Sequence, residues 1–420
     1  MNGQPALALV EPQAPVGKGF MALLALSNLG LWMALFAPIQ VLLAQQMEII
    51  APAGKEAALG WVTGIGALVA MLANPLFGAL SDRTTSRFGR RQPWNLAGAL
   101  VGAIALVMLG RQSTLAGVTL WWCVVQLALN AMLAALTAEV PDQVPVPQRA
   151  LCSAWFGVTQ PLGVVAGTLI VTAAVSGIAS GYAAVAGSLM LCALPFLLWT
   201  RNTPLPREDR PPWQWRAFLA GFWISPRQHP DFAWAWLTRF LINLGNALAT
   251  LYLLYFLRDQ VRYGTLFPGE TAEDGLLILV GVYTAGVLVS AFAAGMLSDR
   301  SGRRKVHVIA ASGVMAVASG LLALWPTWPV AVAAGALMGL GYGIYVAVDQ
   351  ALITQVLPAA ADRGKDLGVI NIANSAPQVL APAIAAVLVT QLGGYTALFL
   401  FATVVTLLSG GLVGKIRGVR

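Results

Sequence analysis

Four charged residues lie within, or at the edge of, long apolar segments of this sequence: Arg239, Asp349, Glu139 and Asp142. Charged groups are costly inside a bilayer, and those that occur there usually serve ion or substrate pathways. Arg239 follows the start of its segment by about eight residues, and Asp349 precedes the end of its own by about eight, which is roughly 12 Å in an α-helix. We therefore expect both side chains at one depth, where they can pair.

Two roles are compatible with an Arg239–Asp349 pair. A static ion pair would tie two helices together, whereas a pair that breaks when Asp349 takes a proton would couple proton movement to substrate movement. Glu139 and Asp142 lie where their segment reaches the membrane surface. For these two, a gate or loop residue is the alternative to a proton carrier.

Uncharged polar residues recur on single helical faces of the apolar segments. Asn371, Asn374 and Gln378 follow the spacing 0, 3 and 7 that places side chains on one face of a helix. Amides with tyrosines nearby suit a polyhydroxylated ligand, because they supply hydrogen bonds while the rings stack on sugar faces. The alternative for each residue is a hydrogen bond between helices. The residues expected to line a substrate cavity are Asn28, Gln126, Asn130, Asn243, Asn246, Tyr342, Tyr345, Asn371, Asn374 and Gln378.

The composition indicates which elements must position these residues. Of the 420 residues, 58% are hydrophobic and only 10% are charged, whereas soluble domains contain about 25% charged residues. A helix needs roughly 20 apolar residues to cross a bilayer, so the apolar segments predict about twelve transmembrane helices. The sequence therefore predicts an all-α polytopic membrane protein. It argues against a soluble enzyme and, despite the net charge of +8, against a nucleic-acid-binding domain.

The apolar segments form two groups of six. They lie near 19–47, 57–80, 93–110, 116–141, 150–176, 180–200, 231–257, 275–298, 306–325, 328–357, 367–391 and 395–414. Residues 202–228 contain prolines, tryptophans and mixed charge, which is typical of a linker along the membrane interface. We expect an N-terminal half at 1–201, this cytoplasmic linker, and a C-terminal half at 229–420.

The two halves repeat each other in sequence. Asn-Leu-Gly at 28–30 returns at 243–245, an offset of 215, and Gly-x-Leu-Ser-Asp-Arg at 78–83 returns at 295–300, an offset of 217. Parallel repeats of this kind occur in carriers built from two halves related by an axis along the membrane normal. We expect two pseudo-symmetric six-helix bundles with a substrate site between them.

The distribution of Lys and Arg predicts the orientation. Of the 25 such residues, twenty lie on the side of the membrane that carries both termini. Four lie on the opposite side, namely Lys55, Arg111, Arg258 and Arg262, and Arg239 lies within a span. Cytoplasmic loops carry the excess of Lys and Arg. We expect a multi-pass protein of the cell (inner or plasma) membrane with both termini in the cytoplasm.

Two loops carry the most specific motif. The conformational residues are Gly78, Asp82, Arg83, Gly89 and Arg90 after the second span, and Gly295, Asp299, Arg300, Gly302 and Arg303 after the eighth. These loops resemble the G-x-x-x-D-R-x-G-R-[RK] signature of the major facilitator superfamily. The glycines would let helices approach closely, and the aspartates would face a neighbouring helix N-terminus. The resemblance implies a twelve-helix carrier that works by alternating access.

The first of these loops is four residues longer than its copy. This form, D-R-T-x-S-R-[FW]-G-R-x-x-P-[FW], resembles the glycoside–pentoside–hexuronide cation symporters and the plant sucrose–proton symporters. The segment 141–149 is similar to their P-D-L-V-P-x-x-x-R loop. The resemblance implies proton-coupled symport of a sugar or glycoside. The second span lacks the acidic residues with which sodium-coupled melibiose permeases bind their cation, so we expect no sodium site of that type. The alternative is a proton-driven exporter of drugs or other amphipathic compounds.

Motifs for other chemistry are missing from the sequence. There is no nucleotide-binding G-x-x-x-x-G-K-[ST] motif, and the three cysteines lack the spacing of a metal site. We expect no enzymatic activity, no ATP, no nucleic acid, no metal and no cofactor, with the proton as coupling ion. The expected partners are a small-molecule substrate and the lipid bilayer, and we expect a monomer.

Cysteine labelling tests the predicted orientation. With the native cysteines replaced, Lys55→Cys and Gly269→Cys should react with a membrane-impermeant maleimide added outside intact cells. Arg87→Cys and Arg210→Cys should react only after permeabilisation, because their loops are predicted to be cytoplasmic. Reversed labelling at any of the four positions would contradict the twelve-span order.

Overall fold

The fold was analysed in a computed structural model that describes residues 12–174, 176–200, 202, 204–208, 210, 215, 227–301, 304–356 and 363–417. Within these ranges it leaves out the side chains of residues 146–147, 149–151, 153–154, 156–157, 174, 292, 295–301, 350–356 and 363–371. The described residues are helical, with no strand among them.

The chain divides into two compact units. The first consists of Met1–Pro52 and Leu68–Trp213, and the second of Ala53–Ala67 and Gln214–Arg420. The division after Trp213 falls within residues 202–228, most of which lie outside the described residues.

The first unit is a helical bundle. Its helices are α1 (Lys18–Ala37), α2 (Leu43–Ile50), α3 (Lys55–Ser81), α4 (Gln92–Leu109), α5 (Leu115–Gln143), α6 (Val146–Leu169) and α7 (Ile178–Trp199), of which α3 begins in the second unit. A π-helical turn at Pro38–Leu42 joins α1 to α2, and another at Ile170–Ala174 extends α6. α5 begins where the Thr114 hydroxyl accepts a hydrogen bond from the Gly117 amide at 3.2 Å, a typical N-cap.

The second unit is also a helical bundle. Its helices are α8 (Pro230–Leu251), α9 (Leu253–Phe256), α10 (Tyr263–Leu266), α11 (Ala272–Ser301), α12 (Arg304–Leu324), α13 (Trp328–Val356), α14 (Arg363–Gln391) and α15 (Gly394–Val413). Proline in the first turn of α8 suits a helix start, since its missing N–H would be unpaired there. A π-helical turn at Leu257–Val261 follows α9 and ends at Arg262, whose φ of 54° is left-handed.

The helices account for all the predicted spans. Among the described residues, ten helices are long and apolar enough to cross a bilayer, and Pro230–Leu251 with Leu253–Val261, bent by 45°, makes an eleventh. The remaining predicted span, 150–176, coincides with α6 and its π-helical turn, which contain the shorter apolar helix Val158–Ala173. The polytopic all-α fold predicted from composition is confirmed.

Four helix pairs recur in the two units. In the first, α1 contacts α6 and α7, and α4 contacts α5 and α7. In the second, α8 contacts α14 and α15, and α12 contacts α13 and α15. In each unit the first span contacts the fifth and sixth, and the third span contacts the fourth and sixth. The repeat in sequence is therefore also a repeat in packing.

The repeated Asn-Leu-Gly motif explains one of these contacts. A Cβ on Gly30 would lie 2.6 Å from Cβ of Cys192 on α7, and one on Gly245 would overlap Oγ1 of Thr406 on α15. Cys192 and Thr406 are 214 residues apart, close to the offset of the motif itself. Glycine therefore lets the first helix of each unit approach the last one closely.

The start of α3 is bound to the second unit. The ammonium of Lys55 lies 3.1 Å from Oδ1 of Asp259, and the Tyr395 hydroxyl donates to the other oxygen of that carboxylate at 2.8 Å. The Tyr252 hydroxyl donates to the backbone carbonyl of Glu56 at 2.7 Å. The first turns of α3 are thus held by residues that lie about two hundred positions later in the chain.

Two glycine substitutions test the close approach in the first unit. Gly30→Ala should lower the free energy of unfolding by about 1–3 kcal/mol, because its methyl group must displace α7. Gly187→Ala on α7 is the control, since a Cβ there meets nothing within 4 Å; it should be neutral or stabilising by up to about 1 kcal/mol. Thermal unfolding of the purified variants in detergent measures both, and equal effects would remove the packing explanation.

Candidate functional site

Three helices of the second unit bring a charge pair and several polar side chains together. Arg239 comes from α8, Asp349 from α13 and Asn374 from α14, and α8 contacts both other helices. We name the group the Arg239 cluster; its members are Arg239, Asn243, Tyr342, Tyr345, Asp349 and Asn374. All of them are residues that the sequence predicted for coupling or for a substrate cavity.

Arg239 is at the centre of this cluster. Its Nη1 lies 3.0 Å from Oδ2 of Asp349, and the two side chains are only 4% and 9% exposed. Its Nε donates a hydrogen bond to Oδ1 of Asn374 at 2.6 Å. Nη1 makes no hydrogen bond among the described residues, so charge attraction holds it to Asp349. The cluster therefore contains a buried cationic donor with unused hydrogen-bonding capacity.

Asn243 connects the charge pair to the tyrosines. Its amide nitrogen lies 3.1 Å from Oδ1 of Asn374 and 3.4 Å from the Tyr345 hydroxyl, and it donates to the carbonyl of Arg239 at 2.8 Å. Its oxygen accepts from the Tyr342 hydroxyl at 3.2 Å. The Tyr345 hydroxyl also forms a hydrogen bond with the Asp349 carboxylate. The network is continuous from α8 through α13 to α14.

Tyrosine rings extend the cluster towards α11. The rings of Tyr283 and Tyr342 are nearly parallel, with centroids 6.3 Å apart, and the rings of Tyr342 and Tyr345 are 5.9 Å apart. The Tyr283 hydroxyl donates to Oδ1 of Asn246 at 3.2 Å. Three rings and two asparagines thus form a surface that offers both stacking and hydrogen bonds.

The first unit repeats the amide contact without the charges. Nδ2 of Asn28 lies 2.5 Å from Oγ1 of Thr159, and both residues are buried. The offset of 215 maps these two residues onto Asn243 and Asn374. The same offset maps Arg239 onto a buried leucine at 24, and offsets of 213–215 map Asp349 onto Ala-Ala-Leu at 134–136. The repeated helix packing therefore does not require a charge pair.

The remaining residues predicted for a cavity have separate surroundings. Asn28 joins α1 to α6, which favours its interhelical role. Asn130 donates to the carbonyl and the side-chain oxygen of Gln126 one turn earlier in α5, at 2.8 and 3.1 Å. Gln378 is exposed, one turn beyond Asn374 in α14. The side chain of Asn371 lies outside the described residues.

A second polar group surrounds Arg91, between α3 and α4. Its Nη2 lies 2.6 Å from Oδ1 of Asp82, its Nη1 donates to the Ser81 hydroxyl, and its Nε donates to Oδ2 of Asp142 at 2.8 Å. Arg90 pairs with the other oxygen of Asp142 at 2.7 Å. Burial by itself lowers the pKa of Arg91, but the attraction of Asp142 and Asp82 outweighs it, so this pKa is raised from its ordinary value.

The motif loop differs in part from what the sequence predicts. Asp82 meets the side chain of Arg91 instead of a bare helix N-terminus. A Cβ on Gly78 would meet no described atom within 4 Å, so the close approach expected there stays a prediction. Gly89 does require glycine, because its φ is 92° and a Cβ would overlap the side chain of Asn202. Arg83 donates back to the carbonyl of residue 79 at 3.0 Å.

Some of the predicted motif residues lie outside this description. Gly302 and Arg303 are outside the described residues, and so are the side chains of Asp299 and Arg300; at Gly295 only the helical backbone is described.

Glu139 lies beside the Arg91 group and is completely buried in α5. Its Oε1 accepts hydrogen bonds from Nδ2 of Asn202 at 2.7 Å and from Nδ2 of Asn95 at 3.3 Å. Sequence reasoning missed Arg91, Asn95 and Asn202. Arg91 and Asn95 lie at the start of one predicted span, and Asn202 lies just after another. None of them belongs to a periodic pattern of polar residues, so the sequence does not single them out.

The fold and these groups define a polytopic helical membrane protein with a buried polar site in one unit. No group of three His, Cys, Asp or Glu side chains suited to a metal ion occurs among the described residues. A model of the Major Facilitator Superfamily matches residues 19–270 and 270–418. The chain belongs to this superfamily.

Curated relatives match a limited part of the chain. The general alpha-glucoside permease of Schizosaccharomyces pombe is 28% identical over 126 residues, 26% of this chain and 22% of the permease. The multidrug resistance protein Stp of Mycobacterium tuberculosis is 29% identical over 121 residues, 29% of this chain and 22% of Stp. The chain thus spans about a fifth of the length of these relatives.

Solved structures share the fold over nearly the whole chain. A nucleoside transporter, NupG (D323A mutant), superposes with a TM-score of 0.75 at 13% identity and covers 94% of this chain and 98% of its own. A peptide transporter, POT in complex with sulfate, has a TM-score of 0.75 at 15% identity, with 98% and 97% covered. At these identities the likeness shows the fold alone.

Two arginine substitutions test the Arg91 group. Arg91→Lys should lower the free energy of unfolding by about 1–3 kcal/mol, because a single ammonium cannot reach Asp82, Ser81 and Asp142 at once. Arg87→Lys, at an exposed position of the same loop, is the matched control and should leave stability unchanged. Thermal unfolding at constant pH and salt measures both, and a stable Arg91→Lys protein would contradict the central role of Arg91.

Proposed function

We propose that this transporter carries a sugar or glycoside by proton-coupled symport, with the Arg239 cluster as its binding and coupling site. The observation that carries the proposal is the buried Arg239–Asp349 pair, in which Nη1 faces Oδ2 of Asp349 at 3.0 Å but has no well-aligned hydrogen bond among the described residues. Buried polar groups are nearly always hydrogen-bonded. We infer that a ligand oxygen supplies an acceptor for Nη1.

The chemistry of the cluster suits a polyhydroxylated ligand. Hydroxyl groups both donate and accept, so they can pair with the asparagine amides, the phenols and the guanidinium in turn. The rings of Tyr283 and Tyr342 offer apolar faces on which the C–H face of a pyranose packs. The similarity of part of the chain to the alpha-glucoside permease supports the same class of substrate.

The charge pair provides a route for coupling to protons. A ligand that accepts a hydrogen bond from Arg239 competes with Asp349 for the guanidinium. Asp349 would then be an unpaired carboxylate in an interior of low polarity, where the neutral acid is the less costly form. Substrate binding and proton binding thus favour each other, as symport requires. The apolar residues at the equivalent positions of the first unit support a role beyond packing.

The proposal includes a position in the membrane. We propose that both termini lie in the cytoplasm, which the excess of Lys and Arg in the loops on their side supports, and that the carrier alternates between two conformations as a monomer. The conformational loops around Gly78 and Asp82 then face the cytoplasm.

A proton-driven exporter of amphipathic compounds is the second candidate. The tyrosine surface would hold aromatic compounds, and the similarity to the multidrug resistance protein Stp supports this class. Uptake of labelled sugars into proteoliposomes, with and without an inward pH gradient, separates the two. Sugar accumulation that depends on the gradient supports symport, whereas accumulation of lipophilic cations alone supports the exporter.

A substitution at Asp349 tests coupling. Asp349→Asn should abolish accumulation against a gradient while sparing exchange of labelled for unlabelled substrate, because the amide keeps the hydrogen bonds but carries no titratable proton. Asp274→Asn, at an acidic residue in the first turn of α11, is the control and should leave both activities unchanged. Accumulation by Asp349→Asn at the expense of a proton gradient would make the Arg239–Asp349 pair structural.

A further inference from the structure

Glu139 is a buried acid that the proposed transport cycle does not use. Its side chain is completely buried at the end of α5, one turn before Asp142. Oε1 accepts two amide hydrogen bonds, from Asn202 and from Asn95, while Oε2 has no partner among the described residues. Both partners are neutral amides, which would stabilise a carboxylate in part but supply no counter-charge for it.

The charged residues around Glu139 are already matched. Arg90 and Arg91 face it from the start of α4, and Asp142 lies on its own helix. Both arginines bind Asp142, and Arg91 also binds Asp82. Two positive charges thus meet two negative charges. An ionised Glu139 would add an unmatched negative charge at a completely buried position, which is far more costly than burial of the neutral acid.

We propose that Glu139 holds a proton in this conformation and acts as a pH-sensitive latch. The protonated acid accepts the hydrogen bond from Asn202 at its carbonyl oxygen. Because Asn202 follows α7 directly, this bond fixes the start of the segment between the two units. A second contact of Asn202, with the Gln143 amide at 3.0 Å, fixes it to the same end of α5. This inference depends neither on the identity of the substrate nor on Asp349.

Loss of the proton would open the latch by a defined route. The new carboxylate would compete with Asp142 for Arg91 and Arg90, and it would draw water towards the unpartnered Oε2. The two arginines and water would then compete with Asn202 and Asn95 for the carboxylate, and hydration of the charge would separate α5 from Asn202. A rise in pH on the side of the membrane that the loop between α3 and α4 faces would therefore favour the form of the first unit in which the contact between Glu139 and Asn202 is broken.

Infrared spectroscopy and thermal unfolding of the full-length protein test the proposal together. In infrared difference spectra, Glu139→Gln should remove one C=O band of a protonated carboxylic acid that is present at neutral pH. Glu208→Gln, an exposed residue of the linker, is the control and should remove none. Asn202→Ala should shift the same band to higher frequency, because one hydrogen bond to its carbonyl oxygen is lost.

The pH dependence of unfolding has a defined sign. Glu139 in the unfolded chain ionises above pH ~4.3, so a chain that folds with the proton bound releases it on unfolding and loses stability as pH rises. The melting temperature of the wild-type protein should fall by about 3 °C relative to Glu139→Gln between pH 5 and pH 8. Three results would each overturn the proposal: melting temperatures of wild type and Glu139→Gln that change in parallel with pH, an acid C=O band that Glu139→Gln leaves unchanged, or a Glu139→Gln protein that fails to fold. The band shift in Asn202→Ala tests the proposal without altering Glu139.

Discussion

The attraction between Arg239 and Asp349 is the interaction on which the polar interior of the second unit depends. Each charge would be strongly destabilising alone, because both side chains are buried and no second counter-ion lies beside them among the described residues. Together they orient Asn374 through Nε of Arg239, and Asn374 in turn holds Asn243. The network therefore depends on the partner of Arg239, so whatever separates the pair rearranges the network with it.

Duplication explains how such a site arises without loss of the fold. Four helix pairs and the glycine contact between first and last helices recur in both units, so this packing does not depend on a buried charge pair. Among the described residues, the first unit has the Asn28–Thr159 contact at the equivalent positions and carries its charge group near the ends of its helices. In the proposed cycle, this division would assign binding to one unit and control of conformation to the other.

Long apolar segments made the spans and the repeat predictable, because hydrocarbon thickness fixes the length of a helix. Arg239 and Asp349 were found by their rarity in such segments. The buried arginine of the loop after α3 was harder to predict. Nothing in the sequence distinguishes Arg91 from its neighbours Arg83, Arg87 and Arg90, and only the packing shows that Arg91 is buried. Asn202 bears no signal, since its role comes from a contact with Glu139, 63 residues away. Gly78 makes no close contact with a described atom, so its role in the motif stays a prediction.

The division of α3 between the two units sets an order of events during biosynthesis. Lys55 leaves the ribosome early, but its partner Asp259 is 204 residues further along the chain. At 5–20 residues per second, the first turns of α3 wait roughly 10–40 s for the helices that receive them. During this interval the lysine end of α3 must be shielded by lipid headgroups or by the insertion machinery, so slower translation lengthens the exposure of this helix in particular.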